Sequence, residues 1–238
     1  MIIPEPSSHE AFSLDSRRLH EILRHAKPLG HHEDASTLNL GFGFLYYGLV
    51  RMLRPRHVVV IGSGYGFSVV CLALGLKDNA HGQLTFVDPS YSVLRDGLLH
   101  TVGGTAQWDE PEKVRAHFRR FGVEDLVTHY RLTSGAFFDG WNERDLPPID
   151  IAFIDGNHSY EDVRADFLNA SARMKRNGYL LLHDTNIYVR EFLRHAGVKR
   201  WLKVLEREPS RFQLVDFPFA SGVALVRLLD DSPWLPAE

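Results

Sequence analysis

The chain has 238 residues, 44% hydrophobic and 24% charged, with a formal net charge of −3, which suits a globular domain with a substantial core. The basic residues are dispersed, which argues against a nucleic-acid footprint, and no apolar run reaches the roughly 18 residues of a membrane helix. Residues 1–10 lack the basic start and apolar stretch of a signal peptide. A lone cysteine, Cys71, excludes an internal disulfide, so a cytoplasmic location is the expectation.

Helical spacing marks 11–27, through Phe12, Leu19, Ile22 and Leu23, and 37–53, through Leu38, Phe42, Leu45 and Leu49. Between them, His31-His32-Glu33-Asp34 reads as a solvated loop rather than a metal cluster, because consecutive residues rarely converge on one ion. Phe42, Phe44, Tyr46 and Tyr47 are candidates for a substrate pocket or for ordinary helix packing. Arg51, Arg54, Arg56 and His57 read as a cationic helix end. After Pro55 the run His57–Ile61 has the composition of a buried parallel strand, followed by Gly62 and an apolar helix over 66–76, with Cys71 in its core. Leu84–Val87 is a second strand, closed by Asp88 and Pro89. The turn-rich stretch 89–111 is too long for an idle connection; Tyr91 and Trp108 flank it, which favours a substrate lid over a dimer contact.

A helix over 112–121 ends at Gly122, and Leu126–Leu132 forms a third strand leading to Thr133-Ser134-Gly135-Ala136. Ile149–Ile154 is a fourth strand, ending in Asp155-Gly156. Ser159 then caps a helix with Asp162 as its capping-box partner. Val163, Phe167, Ala170 and Met174 form its buried stripe, and Gly178 stops it. Tyr179–His183 is a fifth strand ending in Asp184. A helical stretch near 187–206 is interrupted around Gly197, and Phe212–Asp216 with Gly222–Leu228 close the chain as a hairpin-like pair. Strands alternating with helices predict an α/β fold with a mostly parallel sheet covered on both faces. No repeat or linker divides it: the expectation is one domain, with a helical cap over 1–54 and a core over 55–228.

In such sheets ligands bind beyond the carboxyl ends of the strands. The first strand runs through Gly62-Ser63-Gly64-Tyr65-Gly66 straight into a helix, where backbone can approach a ligand closely. A dinucleotide fingerprint would need glycine at position 67, where Phe67 stands. Asp88 suits the hydroxyls of a ribose.

The G-x-G-x-G spacing resembles motif I of class I S-adenosylmethionine-dependent methyltransferases. Asp155-Gly156-Asn157-His158-Ser159-Tyr160-Glu161, with Leu181-Leu182-His183-Asp184-Thr185, is similar to a bacterial small-molecule methyltransferase family with Ile-Asp-Gly-Xaa-His-Ser-Tyr and His-Asp-Thr motifs. From about residue 40 to 228 the order of elements matches that fold. The resemblance implies a Rossmann-like seven-stranded sheet with an antiparallel last strand and added N-terminal helices. It implies S-adenosyl-L-methionine as cofactor, held by Gly62, Ser63, Gly64, Gly66, Asp88, Ser134 and Asp155, with Ser134 at the adenine ring.

In the fold that the resemblance implies, the fourth and fifth strands are neighbours, so Asp155 and Asp184 would end adjacent strands roughly 5 Å apart, and two such carboxylates repel unless a cation or proton lies between them. This resembles catechol O-methyltransferase, where aspartates at these strand ends bind magnesium together with an asparagine; Thr185 takes the asparagine's place here. With His158 or His183 nearby, the site would suit a divalent manganese, iron or zinc better than magnesium. Without a metal, Asp155 would contact the methionine amino group or an acceptor hydroxyl. His183, next to Asp184 on a regular strand, would then point to the opposite face as a packing or supporting residue. His158 would be a general base.

The combined expectation is O-methylation of a small molecule, with Asp155 and His158 catalytic and Asp184 beside them. Two alternatives use the same sheet: an NAD-dependent oxidoreductase or sugar-modifying enzyme, and a non-catalytic S-adenosylmethionine-binding protein. The absence of an Asn-Pro-Pro-Tyr type motif argues against nucleic acid as acceptor. Neither a membrane partner nor a nucleic-acid partner is expected, and a homo-oligomer stays open.

Overall fold

The computed structural model describes residues 12–96, 99–103, 107–186 and 197–236. Helices α1 (Ser16–His25) and α2 (Phe42–Leu53) precede β1 (His57–Ile61), α3 (Phe67–Asn79) and β2 (Gln83–Val87). A separate antiparallel hairpin, β3 (Ser92–Asp96) and β4 (Leu99–Gly103), follows. Then come α4 (Pro111–Phe121), β5 (Val127–Tyr130), α5 (Ser134–Asp139), β6 (Ile149–Ile154), α6 (Tyr160–Ser171), β7 (Met174–His183), α7 (Gly197–Leu205), β8 (Phe212–Phe217) and β9 (Val223–Leu228).

Seven strands form one sheet in the order β5-β2-β1-β6-β7-β9-β8. β5, β2, β1, β6 and β7 run parallel, and β9 runs antiparallel to both β7 and β8. This is the expected Rossmann-like sheet with an antiparallel last strand. The central strands are buried on both faces, so their residues alternate between two cores. Val58, Val60, Ile151 and Phe153 meet one apolar cluster with α2, α3 and α4, while Val59, Ile61, Ala152 and Ile154 meet the other with α5, α6 and α7. α3 lies between the sheet and α2 and is buried from Phe67 through Leu76, as an apolar-all-round helix must be. Cys71 lies within it, fully buried.

Several boundaries differ from the sequence expectation for local reasons. The first helix begins at Ser16, where the Asp15 carboxylate accepts from the Arg18 N–H at 2.7 Å; residue 11 lies outside the described residues. The second begins at Phe42 instead of 37 because Asp34 collects Ser36 and Thr37 in a tight turn bridged to Asn39. Ser159 caps α6 by accepting from the Asp162 N–H at 3.1 Å, while its hydroxyl donates to the Asp162 carboxylate, which therefore does not close the expected box on the Ser159 backbone; α6 stops at Ser171, not Gly178. Met174 still reaches the same core from β7, paired with Ile149. The helix expected near 187–206 is observed from Gly197, which packs so closely on the backbone of His158–Tyr160 that a Cβ would collide with it; 187–196 lie outside the described residues. α5 went unpredicted, because its Thr133 cap and its glycine read as a loop. The hairpin within 89–111 likewise differs from the turns that its glycines and proline predict. Among the described residues, no helix is long and apolar enough to cross a membrane.

The seam between α2 and α3 gives a test of this packing. A Cβ on Gly75 would lie 2.8 Å from Val50 Cβ and 3.0 Å from the Tyr47 carbonyl oxygen. Alanine gains about 1 kcal/mol over glycine in helix propensity, but overpacking a rigid core costs about 1–3 kcal/mol. Gly75→Ala is therefore expected to lower stability in urea unfolding; an unchanged or higher midpoint would mean that α2 slides freely on α3.

Candidate active site

Because β2, β1, β6 and β7 are neighbours, their carboxyl ends present Asp88, Gly62, Asp155 and Asp184 in a row. They open onto a cavity of about 770 Å³. Gly62, Ser63, Gly64, Asp88, Ser134, Asp155, His158, His183 and Asp184 all line it, with Ser134 at one side and His158 and His183 at the other, whereas Gly66 and Thr185 do not. The loop between α1 and α2 adds Lys27, Leu29, Gly30 and His31.

The three loop glycines answer to three different constraints. Gly62 (φ 69°) has no room for a Cβ, which would collide with the Asp155 carbonyl and Gly156. Gly64 (φ 43°) has open space where its Cβ would be. Gly66 (φ 88°) is turned away from the cavity, its missing Cβ leaving room for Trp108 at 3.0 Å and His117 at 3.1 Å. Gly66 thus leaves room for packing, and it is not among the residues that line the cavity. Trp108 is 1% exposed and not part of a lid: its indole N–H donates to the Gly64 carbonyl at 3.1 Å, and its ring stacks on Phe118. Asp88 ties the same loop to the next strand end by accepting from the backbone N–H groups of Ser63 and Ser90. Ser63 turns its own hydroxyl to Ser68, 2.6 Å away.

At the other end, acids and imidazoles interleave. His158 spans the two carboxylates, with Nδ1 2.8 Å from Asp184 and Nε2 3.4 Å from Asp155. His183 Nδ1 lies 3.0 Å from Asp155 and 3.2 Å from Asp184. His183 therefore does not point to the face opposite Asp184, as a regular strand would require. Asp184 adopts left-handed backbone (φ 66°), which breaks the alternation at the end of β7 and brings both side chains to Asp155. Such a conformation costs about 1–3 kcal/mol in a non-glycine residue and often marks a working site. Thr185 leaves the site altogether, its hydroxyl donating to Asp216 at 2.7 Å.

His31 corrects another expectation. It is buried rather than solvated, stacks on His183 with ring centroids 4.3 Å apart, and shares a 3.0 Å hydrogen bond between Nδ1 and the Tyr46 hydroxyl. Phe42, Phe44, Tyr46 and Tyr47, by contrast, do not line the cavity. A run of adjacent polar residues carries no signal that its first member will be carried inward by the turn at Gly41.

A sequence model of the family described as "Methyltransferase domain" matches residues 59–185, more than half of the chain. The chain belongs to the methyltransferase domain family. An uncharacterized protein y4gI of Sinorhizobium fredii is 27% identical over 179 residues, which are 75% of this chain but 18% of that protein, so this chain spans under a fifth of its relative's length. Among solved structures, the O-methyltransferase of Bacillus cereus in complex with S-adenosylhomocysteine superposes with a TM-score of 0.64 at 17% identity, covering 90% of this chain and 92% of that one. The O-methyltransferase TomG of Streptomyces achromogenes, in complex with S-adenosylmethionine, superposes with a TM-score of 0.63 at 16% identity, covering 91% of each. At these identities the structures show that the fold is shared.

The electrostatics of this site follow from its burial. Burial alone would lower the His158 pKa, but hydrogen bonds from its ring to Asp155 and Asp184 outweigh it and push it up to about 9. His183 is raised by the same acids against its own burial. Burial opposes ionisation of Asp155, yet the two histidines hold it well below the usual carboxylate range; Asp184 is lowered in the same way. His31 goes the other way, to about 3, through burial and then the neighbouring His183 charge, and so stays neutral. Two carboxylates of lowered pKa and two histidines of raised pKa thus share one small volume. Asp88, with no such partner, is pushed up to about 6 by burial.

A raised histidine pKa stabilises the fold fully below the unfolded value of 6.5 and ceases to do so as pH rises through about 9. In the presence of a chelator, the urea midpoint is expected to fall between pH 6.5 and 9. His158→Gln should lower the midpoint at pH 6.5 and flatten that decline. A wild-type midpoint constant over this range would contradict the charged pairing.

Proposed function

We propose that this methyltransferase uses S-adenosylmethionine to methylate a hydroxyl group of a small molecule. The observation that carries the reading is the order of groups along one cavity: Ser134, Asp88, the open backbone at Gly64, then the Asp155–His158–Asp184 cluster. A nucleoside laid along it would put its ribose at Asp88, its base at Ser134 and its reactive end beside the cluster. With Asp155 and Asp184 offset by His158 and His183, three further aspartates, Asp88, Asp162 and Asp166, still face a single lysine, Lys27, among the cavity's lining residues, which favours a cofactor carrying a sulfonium and an ammonium charge. The O-methyltransferase names of the structural neighbours support oxygen as the acceptor atom.

Methyl transfer is an in-line displacement: the acceptor oxygen bonds to the methyl carbon as the carbon–sulfur bond breaks, leaving a neutral thioether. The protein must align that oxygen and receive its proton. We assign alignment to Asp155, which lies between the glycine loop and the cluster, and proton transfer to His158. Its pairing with two acids means that His158 accepts a proton only after its own has been displaced.

A divalent cation fits this requirement. The ligand atoms of His31, Asp155 and His183, and those of Asp155, His158 and Asp184, lie within 4.8 Å of one another. His183 Nε2 is buried and finds no hydrogen-bond partner among the described residues. Two positive charges would replace the two imidazolium protons without changing the balance, and the nitrogen-rich donor set suits manganese, iron or zinc over magnesium. Such an ion would lower the pKa of an acceptor hydroxyl.

Calorimetric titration with S-adenosylmethionine, S-adenosylhomocysteine and NAD, each with and without manganese, tests the cofactor. Both sulfur nucleosides are expected to bind and NAD is not; binding of NAD alone would overturn the reading. For the chemistry, release of S-adenosylhomocysteine is followed over a panel of small hydroxyl acceptors. His158→Ala should lower kcat about 100-fold or more, while S-adenosylhomocysteine affinity stays within about threefold.

A further inference from the structure

One acid in the cavity wall has no part in the cluster. Asp166, on α6, is 3% exposed and lines the cavity. Its helix packs on the sheet through Val163, Phe167 and Ala170, all apolar, so the packing does not call for an acid at this position. The Ser134 hydroxyl, at the start of α5, donates a hydrogen bond to the Asp166 carboxylate. Burial pushes the carboxyl up to about 7, and the charge acting on it is the like charge of Asp162. A buried carboxyl without a cation is costly and is the kind of group that concentrates where a ligand is bound.

Its position says which ligand atom. Ser134 and Asp166 come from two helices on the same face of the sheet, α5 and α6, and α5 follows edge strand β5. Asp88 stands at the end of the adjacent strand, β2. A ribose at Asp88 therefore directs its base toward the Ser134–Asp166 pair. Gly156 keeps that stretch of wall low, since Asp166 Oδ2 lies 3.6 Å from where a Cβ on Gly156 would stand. An adenine offers an amino group with two donor hydrogens at its far edge, and a carboxyl oxygen is its natural acceptor.

We propose that Asp166, held by Ser134, accepts a hydrogen bond from the exocyclic amino group of the cofactor's adenine and so selects that base. The assignment rests on the S-adenosylmethionine reading above. It makes Asp166 a specificity residue for the cofactor, contributed by a helix that carries no glycine-loop or strand-end motif.

The test compares S-adenosylhomocysteine with its analogue bearing unsubstituted purine in place of adenine, by calorimetry on the wild type, Asp166→Leu and Asp166→Asn. The wild type is expected to prefer adenine by about tenfold or more. Asp166→Leu should lose that preference to within about twofold, and Asp166→Asn, which keeps an acceptor oxygen, should retain most of it. Without ligand, both variants should melt no lower than the wild type, because a buried acid with no cation beside it has been removed; a merely structural acid would give the opposite shift. Equal binding of the two ligands by the wild type, or an undiminished preference in Asp166→Leu, overturns the proposal. Failure of the wild type to bind S-adenosylhomocysteine at all would instead overturn the cofactor reading.

Discussion

Two carboxylates at the ends of adjacent parallel strands must share one small, nearly dry volume, and much of the site follows from how that is made tolerable. Asp155 and Asp184 are kept ionised by His158 and His183, whose rings lie between them. Bringing both histidines there requires the left-handed turn at Asp184, since a regular strand end would send His183 and Asp184 to opposite faces. The charges cancel in the protein alone, yet the ligand atoms lie close enough together for a cation to take the protons' place.

The glycine loop is held from three directions. Gly62 is pinned by the backbone at the end of β6, Gly66 leaves room for Trp108 and His117, and the Trp108 indole fastens the Gly64 carbonyl. Asp88 draws in the N–H groups of Ser63 and Ser90. A loop anchored in this way offers open backbone at Gly64 without having to be ordered by its ligand. The anchor comes from residues 107–118, far along the chain, so the stretch after β2 supports the loop from beneath as well as contributing Tyr91 to the cavity wall.

The chemistry divides along the cavity. At the Ser134 side the wall carries Asp88 and Asp166, whose carboxyls are pushed up by burial and have hydrogen-bond donors, but no cation, acting on them. At the Asp184 side the groups are coupled, so that moving one proton changes the state of its neighbours. Membership of the methyltransferase domain family fits this division, because methyl transfer needs a firmly held donor at one end and control of one proton at the other.

Hydrophobic patterning and glycine spacing were sufficient to read the strands, the mostly parallel sheet and the strand-end residues, while the antiparallel last strand followed from the resemblance to the methyltransferase fold; strand ends in this topology share one edge wherever the loops go. They were insufficient for His31, Trp108, Asp166 and Thr185, whose roles depend on long-range contacts. His31 reaches His183, Trp108 reaches Gly64, Asp166 meets Ser134, and Thr185 turns to Asp216. No periodicity records a partner 30 to 150 residues away, nor a single left-handed residue at Asp184 that reverses which way a side chain points. The sequence by itself determined which strand ends would meet; the tertiary structure decided which side chains share that space, because burial and charge act through distance rather than through order along the chain.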